Sequence, residues 1–198
     1  MLFRVIVVGD PYVGKSSIVR YFKEGKPNDA IQSTTQPDLI VAGIELKNKV
    51  KAKFEIFDTA GQEIYGSLTR SYYRDKDGVL IVYNVTDRKS FDNVQRWLEE
   101  AKIHLPGMTN IYIVGNMIDK NERRISTAEG KHRAEYLDLK HFETSAKDGR
   151  NIVDVFMSLA EDIYVQKMER PEYHQSIVKI EDDFQSNKDQ SNSTSCSC

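Results

Sequence analysis

Short apolar runs alternate with helical apolar stripes along this chain, and that alternation restricts the fold more than any other feature. The runs VIVV (5–8) and VLIVY (79–83) are apolar at consecutive positions, which is typical of strands covered on both faces. Strands that alternate with helices indicate an α/β fold with a mainly parallel sheet. The six predicted strands are 2–8, 39–46, 52–57, 78–85, 111–114 and 141–144.

One connection and two helical stripes refine this fold class. The tripeptide KNK (47–49) separates the second and third predicted strands as a hairpin turn would, so we expect that pair to be antiparallel. We predict a doubly wound, mostly parallel six-stranded sheet with one antiparallel edge strand and helices on both faces. The helical stripes are Phe91, Val94, Leu98, Ala101 and Leu105, and then Ile152, Val155, Phe156, Leu159, Ala160 and Ile163.

Length and composition predict one domain followed by a tail. At 198 residues and 39% hydrophobic content the chain can bury one sizeable core. The apolar periodicity fails from about residue 170, and QSNKDQSNSTSCSC (185–198) is rich in Ser, Asn and Gln. Such a composition favours disorder. We therefore predict a domain over 1–168 and a flexible tail over 169–198.

Four polar signatures each follow a predicted strand. They are GDPYVGKSS (9–17), DTAGQE (58–63), GNMID (115–119) and ETSAK (143–147). The carboxyl ends of parallel strands share one edge of a sheet, and ligands bind at that edge. We expect the four segments to converge on one molecule.

These signatures, together with YYR (72–74), VYNVTD (82–87) and the terminal Cys-Ser-Cys, resemble the Rab family of small GTPases over about residues 2–168 and the last three. The resemblance implies the P-loop GTPase fold, GTP and GDP as ligands, Mg²⁺ as cofactor, and GTP hydrolysis that is slow without an activating protein. It also implies a switch that recruits other proteins during vesicle trafficking.

The phosphate loop has a physical role in this reading. Backbone amides from about Tyr12 to Ser16 would face the β- and γ-phosphates at the amino end of the first helix. Lys15 would supply a positive charge and the Ser16 hydroxyl would bind Mg²⁺. The implied nucleotide contacts of this loop are Pro11, Tyr12, Val13, Gly14, Lys15, Ser16 and Ser17.

The resemblance also assigns roles to four residues between the first and fourth strands. The Thr34 hydroxyl would meet Mg²⁺ while its N–H senses the γ-phosphate, and Asp58 would hold Mg²⁺ directly or through water. The Gly61 amide would contact the γ-phosphate, and Gln62 would orient the attacking water. The implied metal ligands are Ser16, Thr34 and Asp58, and the implied catalytic residues are Gln62 and Lys15.

Guanine selection requires a carboxylate that accepts two base N–H groups, and Asp119 is the implied acceptor. Asn116 would tie the base loop to the phosphate loop. Lys147 would lie along one base face, while Ser145 and the Ala146 amide would close over the base edge.

Three departures from the family pattern modify these expectations. Met117 replaces a lysine whose stem covers the other base face, so we expect weaker or faster-exchanging nucleotide with GTP still preferred over ATP. Pro11 and Tyr12 crowd the space around Gln62, which predicts slow intrinsic hydrolysis. In the effector region Gln36, Leu39 and Phe57 replace the usual glycine, phenylalanine and tryptophan.

These departures leave one alternative open, which is a nucleotide-locked or weakly hydrolysing adaptor that kept the fold after its switch degenerated. The intact Lys15, Ser16, Thr34, Gln62 and Asp119 favour the working switch. A small phosphotransferase would share only the phosphate loop.

The chain end predicts a lipid anchor. The segment 170–198 has three basic and five acidic residues, so it offers no polybasic patch to a membrane. Stable anchoring takes two signals, and Cys196 and Cys198 supply two. In the Rab family such ends receive two geranylgeranyl groups.

The expected partners follow from the resemblance: an exchange factor, an activating protein, effectors at the switch loops, and the prenylation escort and dissociation-inhibitor proteins. The formal charge of −2 gives no bulk attraction to nucleic acid. The start of the sequence has no secretory signal. We expect a monomer that divides between the cytosol and the cytoplasmic face of intracellular membranes.

Overall fold

The structure is a computed structural model that describes residues 1–27, 38–58, 70–108 and 110–169. By their internal contacts the residues fall into two units, 1–161 and 162–198. The first unit contains the whole sheet. The second begins within the last helix and is described as far as Glu169. The predicted boundary at 168 and the predicted flexible tail remain predictions, because residues 170–198 lie outside the described part of the chain.

The described residues form six strands and six helices. The sheet has the order β2-β3-β1-β4-β5-β6, and β2 pairs antiparallel with β3 while the other pairs are parallel. This is the predicted fold class. The elements in chain order are β1 Leu2–Val8, α1 Lys15–Glu24, β2 Asp38–Glu45, β3 Lys51–Asp58, α2 Arg70–Tyr73, β4 Gly78–Asn84, α3 Arg88–Asp92, α4 Val94–His104, β5 Ile111–Asn116, α5 Thr127–Tyr136, β6 Lys140–Glu143 and α6 Ile152–Met168.

The central strands are covered on both faces, as their consecutive apolar residues predict. All six residues of β5 are buried, and so are the first six of β4. On one face, Ile6 and Val8 of β1 belong to a core cluster with Phe91 of α3 and Trp97 of α4. Alternate side chains of a strand point to opposite faces. Strands buried in this way have no solvent-exposed face, which explains the absence of a period-two pattern in their sequence.

An aromatic cluster fills the other face. The ring of Phe54 in β3 makes edge contacts with Phe3 of β1, Phe22 of α1 and Phe156 of α6, at centroid distances of 5.7, 5.8 and 5.7 Å. Phe22 stacks on Phe156 at 4.0 Å. Edge-to-face and offset contacts are favourable arrangements for aromatic rings. The sheet therefore has helices on both faces, as predicted.

The predicted hairpin turn joins β2 to β3. The N–H of Leu46 donates to the Val50 carbonyl at 2.9 Å, and the N–H of Lys49 donates to the Leu46 carbonyl at 2.9 Å. Lys49 has φ 68°, the left-handed conformation that tight hairpins require.

The first helical stripe differs from the prediction of a single element. Asn93 separates α3 from α4, and Leu105 follows the end of α4. The backbone N–H of Asn93 donates to the carbonyls of Lys89 and Phe91, while its side chain donates to Asp10 in a distant loop. A tertiary contact thus accompanies the change from one helix to the next. The apolar residues of the stripe nevertheless belong to the hydrophobic core, as predicted.

Beneath α5 lies a buried polar pair. The Tyr83 hydroxyl and Nε2 of His141 are 3.0 Å apart. Burial raises the pKa of Tyr83 and lowers the pKa of His141, so both side chains are favoured in their neutral forms. A Cβ on Gly130 of α5 would lie 2.7 Å from the Tyr83 oxygen and 2.7 Å from Nε2 of His141. Glycine at this helical position therefore leaves room for the pair.

Gly130→Ala tests this packing. Alanine in a helix interior is normally more stable than glycine by about 1 kcal/mol. Here we expect a loss of about 1–3 kcal/mol, because the new methyl group forces the Tyr83–His141 pair to shift. Urea unfolding measures the change. Gly43→Ala is the control, since a Cβ there meets nothing within 4 Å. A Gly130→Ala protein as stable as the wild type would contradict the proposed crowding.

Candidate functional site

The parallel strands bring three of the four polar signatures to one edge of the sheet. Strands β1, β5 and β6 end at Val8, Asn116 and Glu143, and the loops that follow them contain residues 9–14, 117–126 and 144–151. The β3 strand ends at Asp58, which pairs in register with Val7 near the end of β1. Asp58 begins the remaining signature, DTAGQE (58–63), and the rest of that signature, including Gly61 and Gln62, lies outside the described residues. Thr34 also lies outside them.

The two glycines of the phosphate loop are required by close contacts. A Cβ on Gly9 would lie 2.2 Å from the Val82 carbonyl oxygen of β4. A Cβ on Gly14 would lie 2.3 Å from Nδ2 of Asn116. Both glycines also have positive φ, 143° and 93°. The loop therefore sits against the sheet at one end and against the β5 loop at the other, and only glycine fits at either position.

Lys15 is the first residue of α1 and is only 3% exposed. Its ammonium donates to the carbonyls of Gly9 and Asp10 at 2.7 and 2.8 Å, so the charge lies inside the curve of the loop. The amino end of a helix attracts anions through its N–H groups and its dipole. A buried ammonium at that end adds a full positive charge, which makes this loop suited to phosphate.

Two side chains with oxygen donors, one in α1 and one at the end of β3, are the described candidates for Mg²⁺ ligands. Ser16 is half-buried in the first turn of α1, and Asp58 is buried at the end of β3. A hydroxyl and a carboxylate are the hard oxygen donors that Mg²⁺ prefers, together with phosphate oxygens and water. The described residues therefore fit the magnesium site that the sequence predicts. Ser17 is exposed on the same turn, and Val13 is buried.

Asn116 joins three segments of the site through one buried amide. Its Nδ2 donates to the Val13 carbonyl of the phosphate loop at 2.9 Å. Its Oδ1 accepts from the Thr144 hydroxyl and from the Ala146 N–H, both at 3.3 Å. The phosphate loop, the end of β5 and the loop after β6 are therefore held together by this side chain.

Ser145 orients the carboxylate that is the candidate base acceptor. Its hydroxyl donates to Oδ1 of Asp119 at 2.8 Å and accepts from the N–H groups of Lys147 and Asp148, both at 3.2 Å. Asp119 is half-buried and Lys147 is exposed. The arrangement brings a carboxylate acceptor and an exposed lysine to the same edge of the sheet.

The loop after β6 has further hydrogen bonds and a close packing contact near this carboxylate. Arg150 donates to Asp148 at 2.8 Å, and this hydrogen bond lowers the pKa of Asp148 to about 2. The Tyr21 hydroxyl from α1 donates to the Asp148 carbonyl at 3.5 Å. A Cβ on Gly149 would lie 2.1 Å from the Tyr21 oxygen, so the close approach of α1 requires glycine.

Three residues that depart from the family pattern, Pro11, Tyr12 and Met117, lie in the described loops of the site. Pro11 and Tyr12 are exposed at the tip of the phosphate loop, and Tyr12 is 80% exposed with φ 65°. A left-handed conformation costs a non-glycine residue about 1–2 kcal/mol. Met117 also has positive φ, 69°, and its Cε lies 3.6 Å from the position of a Cβ on Gly14. The thioether therefore lies beside the phosphate loop.

The sequence did not predict the contacts that attach Asp10 of the phosphate loop to Asn93 and Trp97, which we call the Asp10 anchor. The Asp10 carboxylate accepts from Nδ2 of Asn93 at 2.6 Å and from Nε1 of Trp97 at 2.9 Å. Arg96 lies 3.5 Å from the same carboxylate. These partners are 83 to 87 residues away in sequence, and no local pattern relates them to Asp10.

Known proteins that are similar in sequence to this chain belong to the family that the sequence motifs resemble. A family model described as Ras family matches residues 4–165. Ras-related protein rab-39 of Caenorhabditis elegans is 39% identical over 166 residues, which is 81% of this chain and 72% of that protein. Ras-related protein RAB1BV of Beta vulgaris is 39% identical over 164 residues, 82% of this chain and 76% of that protein. Ras-related protein Rab-8B of Dictyostelium discoideum is 35% identical over 171 residues, 86% of this chain and 84% of that protein.

Asn116→Ala tests the bridge between the loops. The substitution leaves the Val13 carbonyl and the Ala146 N–H without their partner. We expect a loss of about 2–4 kcal/mol in the free energy of unfolding, measured with urea, because buried polar groups without hydrogen bonds cost about 1–3 kcal/mol each. The control is Asn48→Ala in the exposed β2–β3 turn, for which we expect a loss below about 1 kcal/mol. Equal losses in the two variants would contradict the bridging role.

Proposed function

We propose that this chain binds GTP and GDP with Mg²⁺, hydrolyses GTP slowly, and switches between GTP and GDP conformations to recruit effectors in vesicle trafficking. The chain belongs to the Ras family of small GTPases and resembles its Rab members. One observation carries the proposal. The Asn116 amide joins the phosphate loop to the loop that contains Ala146, and the loop that follows Asn116 contains Asp119. Residues suited to phosphate and to a guanine base therefore lie at one edge of the sheet, and we propose that they line one nucleotide-binding cleft. Such a convergence at the carboxyl edge of a parallel sheet is where nucleotides bind.

The phosphate end of the cleft accounts for charge stabilisation during hydrolysis. Lys15 lies at the amino end of α1, where it would contact the β- and γ-phosphates without leaving the loop carbonyls that hold it. Ser16, Asp58 and Thr34 are the residues that would hold Mg²⁺. Bound Mg²⁺ neutralises charge that develops on the phosphate oxygens.

The switch itself is assigned to residues outside the described ranges. We propose that Gln62 orients the attacking water and that Thr34 and Gly61 contact the γ-phosphate. Loss of the γ-phosphate would then release both loops, which is how a chemical step changes the surface offered to partners.

The base end of the cleft accounts for guanine selection. A carboxylate accepts the two adjacent N–H groups that guanine presents, and adenine lacks this pair. The Ser145 hydroxyl fixes one Asp119 oxygen at 2.8 Å, which reduces the orientational freedom that base binding would otherwise remove. Ala146 and Lys147 lie in the same loop and would close over the base.

An exposed apolar strip on the edge of the sheet supports effector recruitment. Leu39 and Val41 of β2 are 51% and 49% exposed, and Leu39 pairs in register with Phe57 of β3. The Lys76 ammonium lies 3.7 Å from the centre of the Phe57 ring. Contiguous exposed apolar side chains beside a switch region are suited to protein partners. We propose that effectors contact this strip together with the switch loops.

The lipid anchor is proposed from the sequence, because Cys196 and Cys198 lie outside the described residues. No helix in the described part of the chain is long and apolar enough to cross a membrane. We propose geranylgeranyl groups on both cysteines, delivered by an escort protein and shielded in the cytosol by a dissociation inhibitor. Two such chains give stable anchoring to the cytoplasmic face of a membrane, whereas one gives marginal binding.

Identification of the bound nucleotide in the purified full chain tests the proposal. We expect GDP to be retained and GTP to be hydrolysed slowly once Mg²⁺ is added. Asp119→Ala should weaken GDP binding about 100-fold, because it removes a charged acceptor of two hydrogen bonds. The exposed Glu122→Ala in the same loop is the control. Protein that neither retains nor takes up guanine nucleotide would refute nucleotide binding, and bound GTP without turnover would favour a nucleotide-locked adaptor.

Single-turnover hydrolysis of Pro11→Gly decides whether proline slows the reaction, and a rate equal to that of the wild type would remove Pro11 from the mechanism.

Met117→Lys tests the consequence of the missing lysine. A lysine stem would cover the base as methionine does and would add a cation beside the phosphate loop. We expect release of a fluorescent GDP analogue to slow about tenfold, which corresponds to about 1.4 kcal/mol. Ile103→Lys places the same charge on an exposed position of α4 and should leave release unchanged. An unchanged rate in Met117→Lys would show that methionine does not set the exchange rate.

A further inference from the structure

We infer that Asp10 is a positioning residue for the nucleotide: through Trp97 and Asn93 it fastens the phosphate loop to the amino end of α4, and this anchor limits the rate at which nucleotide is released. The inference rests on the proposed function, since it concerns the same cleft. It goes further by adding residues from α4 and its cap, to which the sequence assigned no role in nucleotide binding.

The Asp10 side chain is a buried charge with dedicated partners. Asp10 is 9% exposed. One carboxylate oxygen accepts from Asn93 at 2.6 Å, and the other accepts from the Trp97 indole at 2.9 Å. A buried carboxylate is tolerated when hydrogen bonds replace its water shell, and hydrogen bonds to a charged group are among the strongest. The exposed Arg96 at 3.5 Å is a weaker partner, because solvent screens such a pair.

The backbone of the same residue holds the phosphate-binding lysine. The Asp10 carbonyl accepts from the Lys15 ammonium at 2.8 Å, beside the Gly9 carbonyl at 2.7 Å. The side chain of Asp10 therefore fixes the peptide whose carbonyl sets the position of the lysine charge. A phosphate site with its charge already in place loses less free energy to ordering when the ligand binds.

The Asp10 anchor holds the phosphate loop between its two packed glycines, next to the exposed tip. Gly9 lies against β4, and Gly14 lies against Asn116. Between them, Pro11 and Tyr12 are exposed and Tyr12 has a strained φ of 65°. Such strain persists where the surroundings hold the backbone. Asp10 precedes this exposed tip and is the described loop residue whose side chain reaches α4.

The chain contains its own reporter for this contact. Trp97 is the only tryptophan in the sequence, is buried, and donates its indole N–H to Asp10. When nucleotide leaves, Lys15 loses its phosphate partner, which changes the electrostatic environment of the Asp10 residue that contacts both the lysine and the indole. The emission of Trp97 should therefore differ between nucleotide-bound and nucleotide-free protein.

Release of a fluorescent GDP analogue from the full chain tests the inference. Asp10→Asn keeps the shape of the side chain but removes the charge and places an N–H₂ group against another donor. We expect release to accelerate about tenfold or more. Trp97→Phe removes the indole donor and part of a buried ring but leaves the Asn93 bond to Asp10 in place, and we expect a smaller acceleration. Glu99→Gln, an exposed carboxylate on α4 that accepts from Gln95, is the matched control and should release at the wild-type rate.

Two further measurements separate positioning from general stability. In the double variant the Trp97→Phe effect should largely disappear, because both substitutions remove the same contact. The nucleotide-dependent change in Trp97 emission should be lost in Asp10→Asn. Additive effects on release would overturn the coupling between loop and helix, and unchanged release in Asp10→Asn would overturn the inference whatever the emission shows.

The outcomes also distinguish this inference from the proposed function. Wild-type protein that fails to bind the GDP analogue would overturn both. Wild-type protein that binds it, with release from Asp10→Asn at the wild-type rate, would overturn the positioning role alone and leave the GTPase proposal standing.

Discussion

The candidate site depends on one buried amide. Asn116 lies at the end of a fully buried strand, and its two side-chain polar atoms serve the phosphate loop on one side and the loop after β6 on the other. These loops belong to segments more than 100 residues apart in the chain. A side chain that both donates and accepts can bridge a carbonyl and an N–H group, which no charged or apolar side chain of that size can do. The relative position of the two ends of the cleft is therefore set by hydrogen bonds that the buried sheet keeps away from water.

The sheet makes this bridge possible because its strands run in parallel. Every β-to-α loop opens on the same edge, and the central strands are buried on both faces, so the strand ends have little freedom to move. Close packing continues into the loops. Gly9 and Gly14 meet neighbouring atoms so tightly that a single added carbon would collide with them. The phosphate loop is consequently a preformed cradle, and its unusual residues, Pro11 and Tyr12, are accommodated at the exposed tip where the fold does not restrict side-chain size.

The departures from the family pattern thus fall where they alter rates more readily than the fold. Met117 places its terminal methyl group beside Gly14 of the phosphate loop but supplies no cation. Tyr12 keeps a left-handed backbone at a position where an exposed ring has room. The partners of the Asp10 carboxylate, Trp97 of α4 and its cap Asn93, hold the residue that precedes this exposed tip. Exchange and hydrolysis are therefore the properties in which this chain is expected to differ from its relatives.

The sequence by itself determined the strands in their order along the chain and the antiparallel hairpin at KNK, since these follow from local apolar patterns and turn residues. The shared edge for the polar signatures follows from the parallel strands that those patterns predict. Family resemblance added the roles of Lys15, Asn116 and Asp119 and those of Thr34, Gly61, Gln62, Cys196 and Cys198, and all of these roles stay predictions. The second group also lies outside the described residues. Only the tertiary structure decided the break between α3 and α4 at Asn93, the room that Gly130 leaves for Tyr83 and His141, and the attachment of Asp10 to Trp97. These features depend on how the helices pack against the sheet. This packing brings together residues that are distant in sequence, and local sequence patterns do not predict such contacts.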